Sequence, residues 1–236
     1  MLSADPFWEH VNAYKGVDLK TGKLLHNPEK HPQLRKVIRN ICPTAPGAKD
    51  WIPSAFSPRT GLIYIPHVNL CMDWESMQAN YIPGTPYVGA NVRMYAGPGG
   101  HRGELTAWDP VNRRVAWKIK EDLPVWSGAL ATAGNLVFYG TLDGWFKALD
   151  ARTGKLLWQF KTGSGIVGQP ISYRGPDGRQ YIAVASGVGG WAGMIVAGNL
   201  DARDPTAAKG FANAVADLPQ RTSPGGMLYV FSLPAQ

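Results

Sequence analysis

The sequence predicts an all-β fold, and three observations predict it. Turn formers and aromatics are plentiful: the 236 residues include 28 Gly, 19 Pro, 9 Trp and 9 Tyr, a mixture that favours strands joined by tight turns. A strand-turn-strand unit recurs at an interval of 41 residues. A second kind of hairpin precedes each unit. The length allows one large all-β domain or two small ones. Apolar residues make up 44% and charged residues only 17%, which excludes a disordered chain. No apolar run approaches the ~18 residues of a membrane-crossing helix.

The repeat carries the argument furthest. Residues 103–120 and 144–161 share the frame Ala-x-Asp-x-x-(Thr/Asn)-x-x-x-x-Trp, with Asp109 matching Asp150 and Trp117 matching Trp158. Each unit is an alternating strand, a polar turn and a second alternating strand. The two aspartates are expected to bond backbone amides of their turns, and Gly154 can take the positive φ such a turn demands. A weaker copy runs from Val17 to Leu24. The preceding hairpins turn at 57–61, 133–135 and 175–178. Two hairpins make four antiparallel strands, and a period near 40 residues is that of a propeller blade.

Strands A to D then follow in order from axis to rim. Blade one takes A near 53–56, B at 62–66, C at 104–109 and D at 115–119. Blade two takes A at 128–132, B at 135–141, C at 145–150 and D at 155–161. Blade three takes A at 169–173, B at 180–186 and C at 226–232, and Pro234-Ala235-Gln236 leaves no room for D. Residues 1–25 read as the tail of a preceding blade. That makes three blades, the last incomplete, plus part of a fourth, where closure needs about four or more. The expectation is a C-terminal portion of a larger propeller, in which Met1 carries no targeting meaning. No secretory signal is visible at the start.

Strand alternation places every B–C and D–A connection on one face. That face receives all the long segments: 26–52, 67–102, 120–127 and 187–225. Long loops on a rigid scaffold mark the functional face. On it lie Cys42, Lys49, Asp50, Trp51, Cys71, Asp73, Trp126 and Gly187-Val188-Gly189-Gly190-Trp191. The glycine run leaves a strand for an irregular loop, so it is not a dinucleotide-binding turn. It could let backbone approach a flat ligand, or be a tight turn beside a core Trp. Trp126 could equally be packing, and Asp50 a turn residue. His10, His26, His31, His67 and His101 are isolated, and each reads as solvated. Motifs for a zinc hydrolase, a serine hydrolase or a carboxylate pair are absent. The net charge of 24 − 17 = +7 is scattered; it gives no stripe for nucleic acid and leaves an acidic protein partner open. Two cysteines without C-x-x-C cannot cage a metal, and fit a disulfide in an oxidising compartment.

The segment Val125–Gly144, the Asp-x-x-Thr-Gly-x-x-x-Trp frame, Gly187–Trp191 and the closing Gly225–Leu233 together resemble the quinoprotein alcohol dehydrogenases that use pyrroloquinoline quinone (PQQ). Asn40-Ile41-Cys42-Pro43 and Leu70–Glu75 resemble the methanol dehydrogenases among them, including the lanthanide-dependent class. The resemblance covers essentially the whole chain. It implies an eight-bladed β-propeller, with residues 1–236 as the C-terminal part of one propeller domain. It implies PQQ near the axis on the long-loop face, touched by Trp126, Gly190 and Trp191. Asp50 falls where the family often has Asn at the quinone oxygens; a carboxylate there accepts hydrogen bonds but cannot donate unless protonated. The calcium or lanthanide ligands and the catalytic base are expected upstream, so no catalytic or metal residue is assigned in this chain. The implied activity is oxidation of a primary alcohol, with electrons passed to a cytochrome c, in a periplasmic enzyme that is a homodimer at full length. A non-catalytic scaffold of the same repeats, or an inactive truncated remnant, is the alternative. Cys42 and Cys71 flank the first A–B hairpin on the long-loop face and are expected to pair, with Cα atoms about 4.4–6.8 Å apart.

Overall fold

The computed structural model describes residues 1–78, 89–198 and 210–233. Its blades radiate in the expected order. β4 (Ala55–Ser57), β5 (Leu62–Val68), β8 (Gly103–Asp109) and β9 (Arg114–Glu121) form a four-stranded antiparallel sheet in the order β4-β5-β8-β9. β10 (Leu130–Ala131), β11 (Leu136–Gly140), β12 (Trp145–Asp150) and β13 (Leu156–Lys161) repeat it. β14 (Ile171–Arg174), β15 (Gln180–Ser186) and β16 (Met227–Phe231) make a three-stranded third blade. β1 (Tyr14–Val17) and β2 (Leu24–His26) form a hairpin at the start. Each strand falls within a few residues of its expected place.

The repeated turn works as its aspartate suggests. Asp109 accepts from the amides of Val111 and Asn112, both at 3.0 Å. Asp150 accepts from Arg152 and Thr153 at 3.0 and 2.8 Å, and Asp18 from Lys20 at 2.9 Å. The fourth residue after each aspartate is left-handed: Gly22 at φ +73°, Arg113 at +53° and Gly154 at +73°. The repeat Trp then joins blades. Trp117 Nε1 donates to the Ala151 carbonyl of the next blade at 3.2 Å, and the Tyr64 hydroxyl donates to the same oxygen at 2.9 Å. A Cβ on Gly154 would come within 2.7 Å of the Trp117 ring. Apolar side chains fill the seams. Tyr64, Leu105, Val137, Tyr139 and Leu149 lie between blades one and two, and Phe138, Phe146, Ile166 and Val184 between two and three.

The long segments are more ordered than loops. β3 (Val37–Ile41), β6 (Leu70–Ser76) and β7 (Ala90–Ala96) build a separate antiparallel sheet, β3-β6-β7, out of two connections. The stretch 187–225 contains α1 (Gly190–Val196), α2 (Gly210–Ala214) and α3 (Leu218–Arg221). One buried cluster takes residues from all of them and from the blade ends, among them Val68, Leu70, Leu123, Leu142, Ala192, Ile195 and Leu218. The long connections therefore share one face, as strand alternation requires. Among the described residues no helix is long and apolar enough to cross a membrane.

Candidate functional site

The site is assembled around the loop that joins β3 to β4. Ile41 pairs with Met72 across the β3-β6 ladder, so the next step in that register sets Cys42 opposite Cys71. They form a disulfide with Cα atoms 4.5 Å apart. The pairing is as expected, but the added sheet brings the cysteines together rather than the A–B hairpin. The bridge is buried with Trp8 and Ala48. Beyond it the chain turns on itself: Gly47 N donates to Thr44 O at 2.8 Å, and Gly47 takes φ +82°. Val68 N donates to Ala48 O at 2.8 Å and ties the loop to the end of β5. The Lys49 ammonium donates to the carbonyls of Asp50, at 3.2 Å, and Ile52, closing the next turn. Partial burial holds the Lys49 ammonium below its ordinary pKa. Trp51 N donates to Asp50 Oδ1 at 2.9 Å.

Asp50 is exposed at the lip of this loop. It lines a narrow cleft together with Thr44, Pro46, Ile52, Leu70 and Trp126. Two of the residues singled out from sequence, Asp50 and Trp126, are thus brought to one place. Trp126 is half-buried between the fully buried Val125 and Ser127. The Ser127 hydroxyl lies 3.0 Å from the Gly168 carbonyl and links this segment to the entry of blade three. The enclosed space is about 10 Å³, room for about one water. Thr44 is 4% exposed, and its Oγ1 is buried with no hydrogen-bond partner among the described residues.

Gly190 and Trp191 lie elsewhere in the same neighbourhood. Gly187-Val188-Gly189-Gly190 leads from β15 into α1, so the irregular loop expected from sequence is corrected: a strand runs into a helix. The cause is an apolar spacing of three, which buries Ala192 and Ile195 against the shared cluster. Gly190 opens the helix at φ +55°. The helix packs on the same cluster as Trp126, yet Trp191 is 38% exposed and does not line the cleft. A Cβ on Gly189 or Gly190 would meet nothing within 4 Å, so this backbone borders open space.

Two histidines also overturn the sequence reading. His67 is fully buried and His101 nearly so. His101 Nε2 lies 2.6 Å from Glu104 Oε1, and His67 Nε2 lies 2.9 Å from Thr106 Oγ1. Asn69 Nδ2 donates to the His101 carbonyl at 2.7 Å, and Asn69 Oδ1 accepts from Trp8 Nε1 at 3.0 Å. Burial lowers the His67 imidazole to about 4 against the pull of Glu104. These side chains face the inside of blade one and its N-terminal cover, which no local pattern in the sequence signals. Asp73 is likewise engaged in structure: its Oδ1 accepts from Asn40 N and from the Tyr95 hydroxyl, both at 2.9 Å. Among the described residues no group of three or more His, Cys, Asp or Glu is placed to hold a metal ion.

Residues 18–182 match the family model described as PQQ: glucose/ethanol/alcohol dehydrogenase, β-propeller domain. The chain belongs to that family. This quinoprotein propeller is 48% identical, over 99% of its length, to a lanthanide-dependent methanol dehydrogenase of Methylacidiphilum fumariolicum, of which it covers 39%. It is 40% identical, again over 99% of its length, to methanol dehydrogenase [cytochrome c] subunit 1 of Methylobacterium organophilum, covering 38% of it. Among solved structures it superposes on a europium-containing methanol dehydrogenase with a TM-score of 0.91 and 48% identity, over 98% of this chain and 41% of that one. A quinohemoprotein alcohol dehydrogenase from Comamonas testosteroni gives a TM-score of 0.69 at 33% identity, over 94% of this chain and 31% of that one. The quinoprotein propeller thus spans about two fifths of the length of the curated relatives it matches.

Proposed function

We propose that this chain supplies one wall of the PQQ site of a primary-alcohol dehydrogenase of the methanol type, completed by blades outside it. The observation that carries the reading is the cleft itself, where an indole, an outward carboxylate and an unpartnered buried hydroxyl meet on the long-loop face. These residues fit a flat quinone with polar edges. The enclosed space of about 10 Å³ is too small for its rings, so they are held outside it, against the side chains at its mouth.

When bound, PQQ supplies the hydride acceptor for alcohol oxidation. Trp126 offers an aromatic face that orients a flat ring and keeps water from it. Asp50, pinned by the turn that Lys49 closes, accepts hydrogen bonds at the cofactor's edge. Gly190 borders open space and Trp191 stands partly exposed beside it, so both would meet the cofactor outside the cleft rather than within it. Calcium or a lanthanide and the catalytic base would be held by other blades, a cytochrome c would take the electrons, and the compartment would be the periplasm. A buried disulfide is compatible with that compartment.

The test is Trp126→Ala in the protein with a complete propeller. PQQ should bind at least tenfold more weakly, followed by absorbance titration, with little change in the melting temperature of the cofactor-free protein. A sharp fall in melting temperature with unchanged PQQ occupancy would reduce Trp126 to packing and remove the reading.

A further inference from the structure

We propose that Lys49 is a positioning residue for the cofactor: its ammonium braces the corner that presents Asp50, and it acts through Asp50 rather than by touching the quinone. The assignment rests on the PQQ-site reading above. A lysine on the lip of a site for an anionic quinone is chemically suited to bind that ligand itself. Here the ammonium is directed back into its own turn. It donates to the Asp50 carbonyl at 3.2 Å and to the Ile52 carbonyl, and Lys49 does not line the cleft. The two acceptors stand on either side of Trp51, which is 90% exposed, while Asp50 and Ile52 are both part of the cleft wall. One cation therefore fixes two wall residues at once.

The corner has little else to hold it. Its near end is tied by the disulfide and by the bond from Val68 N to the Ala48 carbonyl. Its far end is tied where Ala129 N donates to the Pro53 carbonyl at 3.0 Å, which joins it to the segment that carries Trp126. Between those anchors, residues 49–52 make no backbone–backbone hydrogen bond among the described residues. Backbone carbonyls next to a buried wall need donors, and Lys49 supplies them. The other bond within the corner is that from Trp51 N to the Asp50 carboxylate at 2.9 Å. Asp50 is the charged group that faces the ammonium, and partial burial works against the charge. A lysine free to reach water would escape that cost; this one meets it with two carbonyls.

Lys49→Met keeps the apolar stem and removes the ammonium. In the propeller-complete protein, the dissociation constant for PQQ, read by absorbance titration at neutral pH, should rise roughly five- to tenfold, the loss of about one hydrogen bond. Asp50→Ala should weaken binding as well. Lys49→Met added to Asp50→Ala should then cost at most about twofold more, because a residue that acts through another has nothing left to act on. Raising the pH to about 10 should weaken binding in the parent more than in Lys49→Met, since only the parent has an ammonium to lose. Lys49→Arg, charged throughout that range, should bind as the parent does at neutral pH without the alkaline weakening; it carries the test if Lys49→Met does not fold. Unchanged affinity in Lys49→Met overturns the assignment, whatever the melting temperature does. So do additive losses in the double variant, which would give Lys49 a contact of its own with the cofactor, and so does alkaline weakening that Lys49→Arg shares. Affinity that responds to Trp126→Ala but not to Lys49→Met sinks only this assignment. Failure of the unaltered protein to bind PQQ sinks the site reading and this one with it.

Discussion

Arg113 occupies the position at which the other two copies of the repeated turn have glycine, and it adopts the same left-handed conformation, φ +53°. A side chain there clashes with its own backbone, a strain of about 1–2 kcal/mol. Arg113→Gly should therefore stabilise the protein, by up to about 1 kcal/mol once glycine's greater freedom in the unfolded chain is set against the relief. The urea midpoint checks it. Gly154→Ala should do the reverse, since the new methyl would meet both the left-handed backbone and the Trp117 ring. His67 makes a prediction of a different kind. Its folded-state pKa is lowered from 6.5 to about 4, so the folded protein prefers the neutral ring. Its contribution is fully present above pH 6.5 and is lost as the pH falls from there through about 4. The full effect is on the order of 3 kcal/mol by linkage. Denaturation midpoints at pH 7 and pH 4.5 should differ more in the parent than in His67→Gln. Equal pH slopes would mean that protonation of His67 does not oppose folding.

At the scale of elements, the disulfide matters because of what it anchors. It joins residues 29 apart in sequence, and closing such a loop stabilises by roughly 3–4 kcal/mol in the chain-entropy model. The loop that follows Cys42 carries Thr44, Asp50 and Trp51, so the covalent link also holds one lip of the cleft. Cys42→Ala with Cys71→Ala should lower the unfolding free energy, read from urea denaturation, by about that amount and weaken PQQ binding as well. The added β3-β6-β7 sheet shows why the sequence missed this support. β3 and β6 are separated by the whole first A–B hairpin, and their pairing depends on contacts that neither strand encodes alone. The short helices in 187–225 have the same origin. Arg102 and Asp217, 115 residues apart, join one connection to another at 2.9 Å. The helix that opens at Gly190 exists because its apolar side finds the shared cluster; a run rich in glycine has little helical preference of its own.

Two faces of the assembled blades lack partners within the described chain. β14 and β16 are exposed along most of their length, with Ile171, Met227 and Leu228 more than half open to solvent. The first hairpin likewise shows Tyr14, Leu24 and Leu25. The repeat Trp makes the contrast plain: Trp117 docks on the turn of the following blade, whereas Trp158, its counterpart in blade two, is 40% exposed and stacks on Phe160. Apolar sheet faces and open edges of this kind drive association. Residues 1–236 expressed alone should therefore aggregate or self-associate, as light scattering would show. With PQQ and calcium or a lanthanide added, they should reduce no dye in the presence of methanol. A monodisperse monomer that turns over alcohol would contradict both expectations and the assignment of base and metal ligands to other blades.

What the sequence determined by itself is the repeating part of this protein. Strand alternation, the Asp turn and the recurring Trp are local signals read over a few residues, and they placed eleven blade strands, the face that gathers the long connections, and the family. Asp50 and Trp126 were legible because they stand in motifs. Tertiary structure decided what depends on distant partners. His67 and His101 look like any loop histidine until Trp8, Asn69 and Glu104 close around them. Thr44 carries no motif, and its burial follows only from the folded loop after Cys42. Burial and hydrogen-bond satisfaction are properties of the assembled surroundings, and in this chain those surroundings come from segments that lie tens of residues apart.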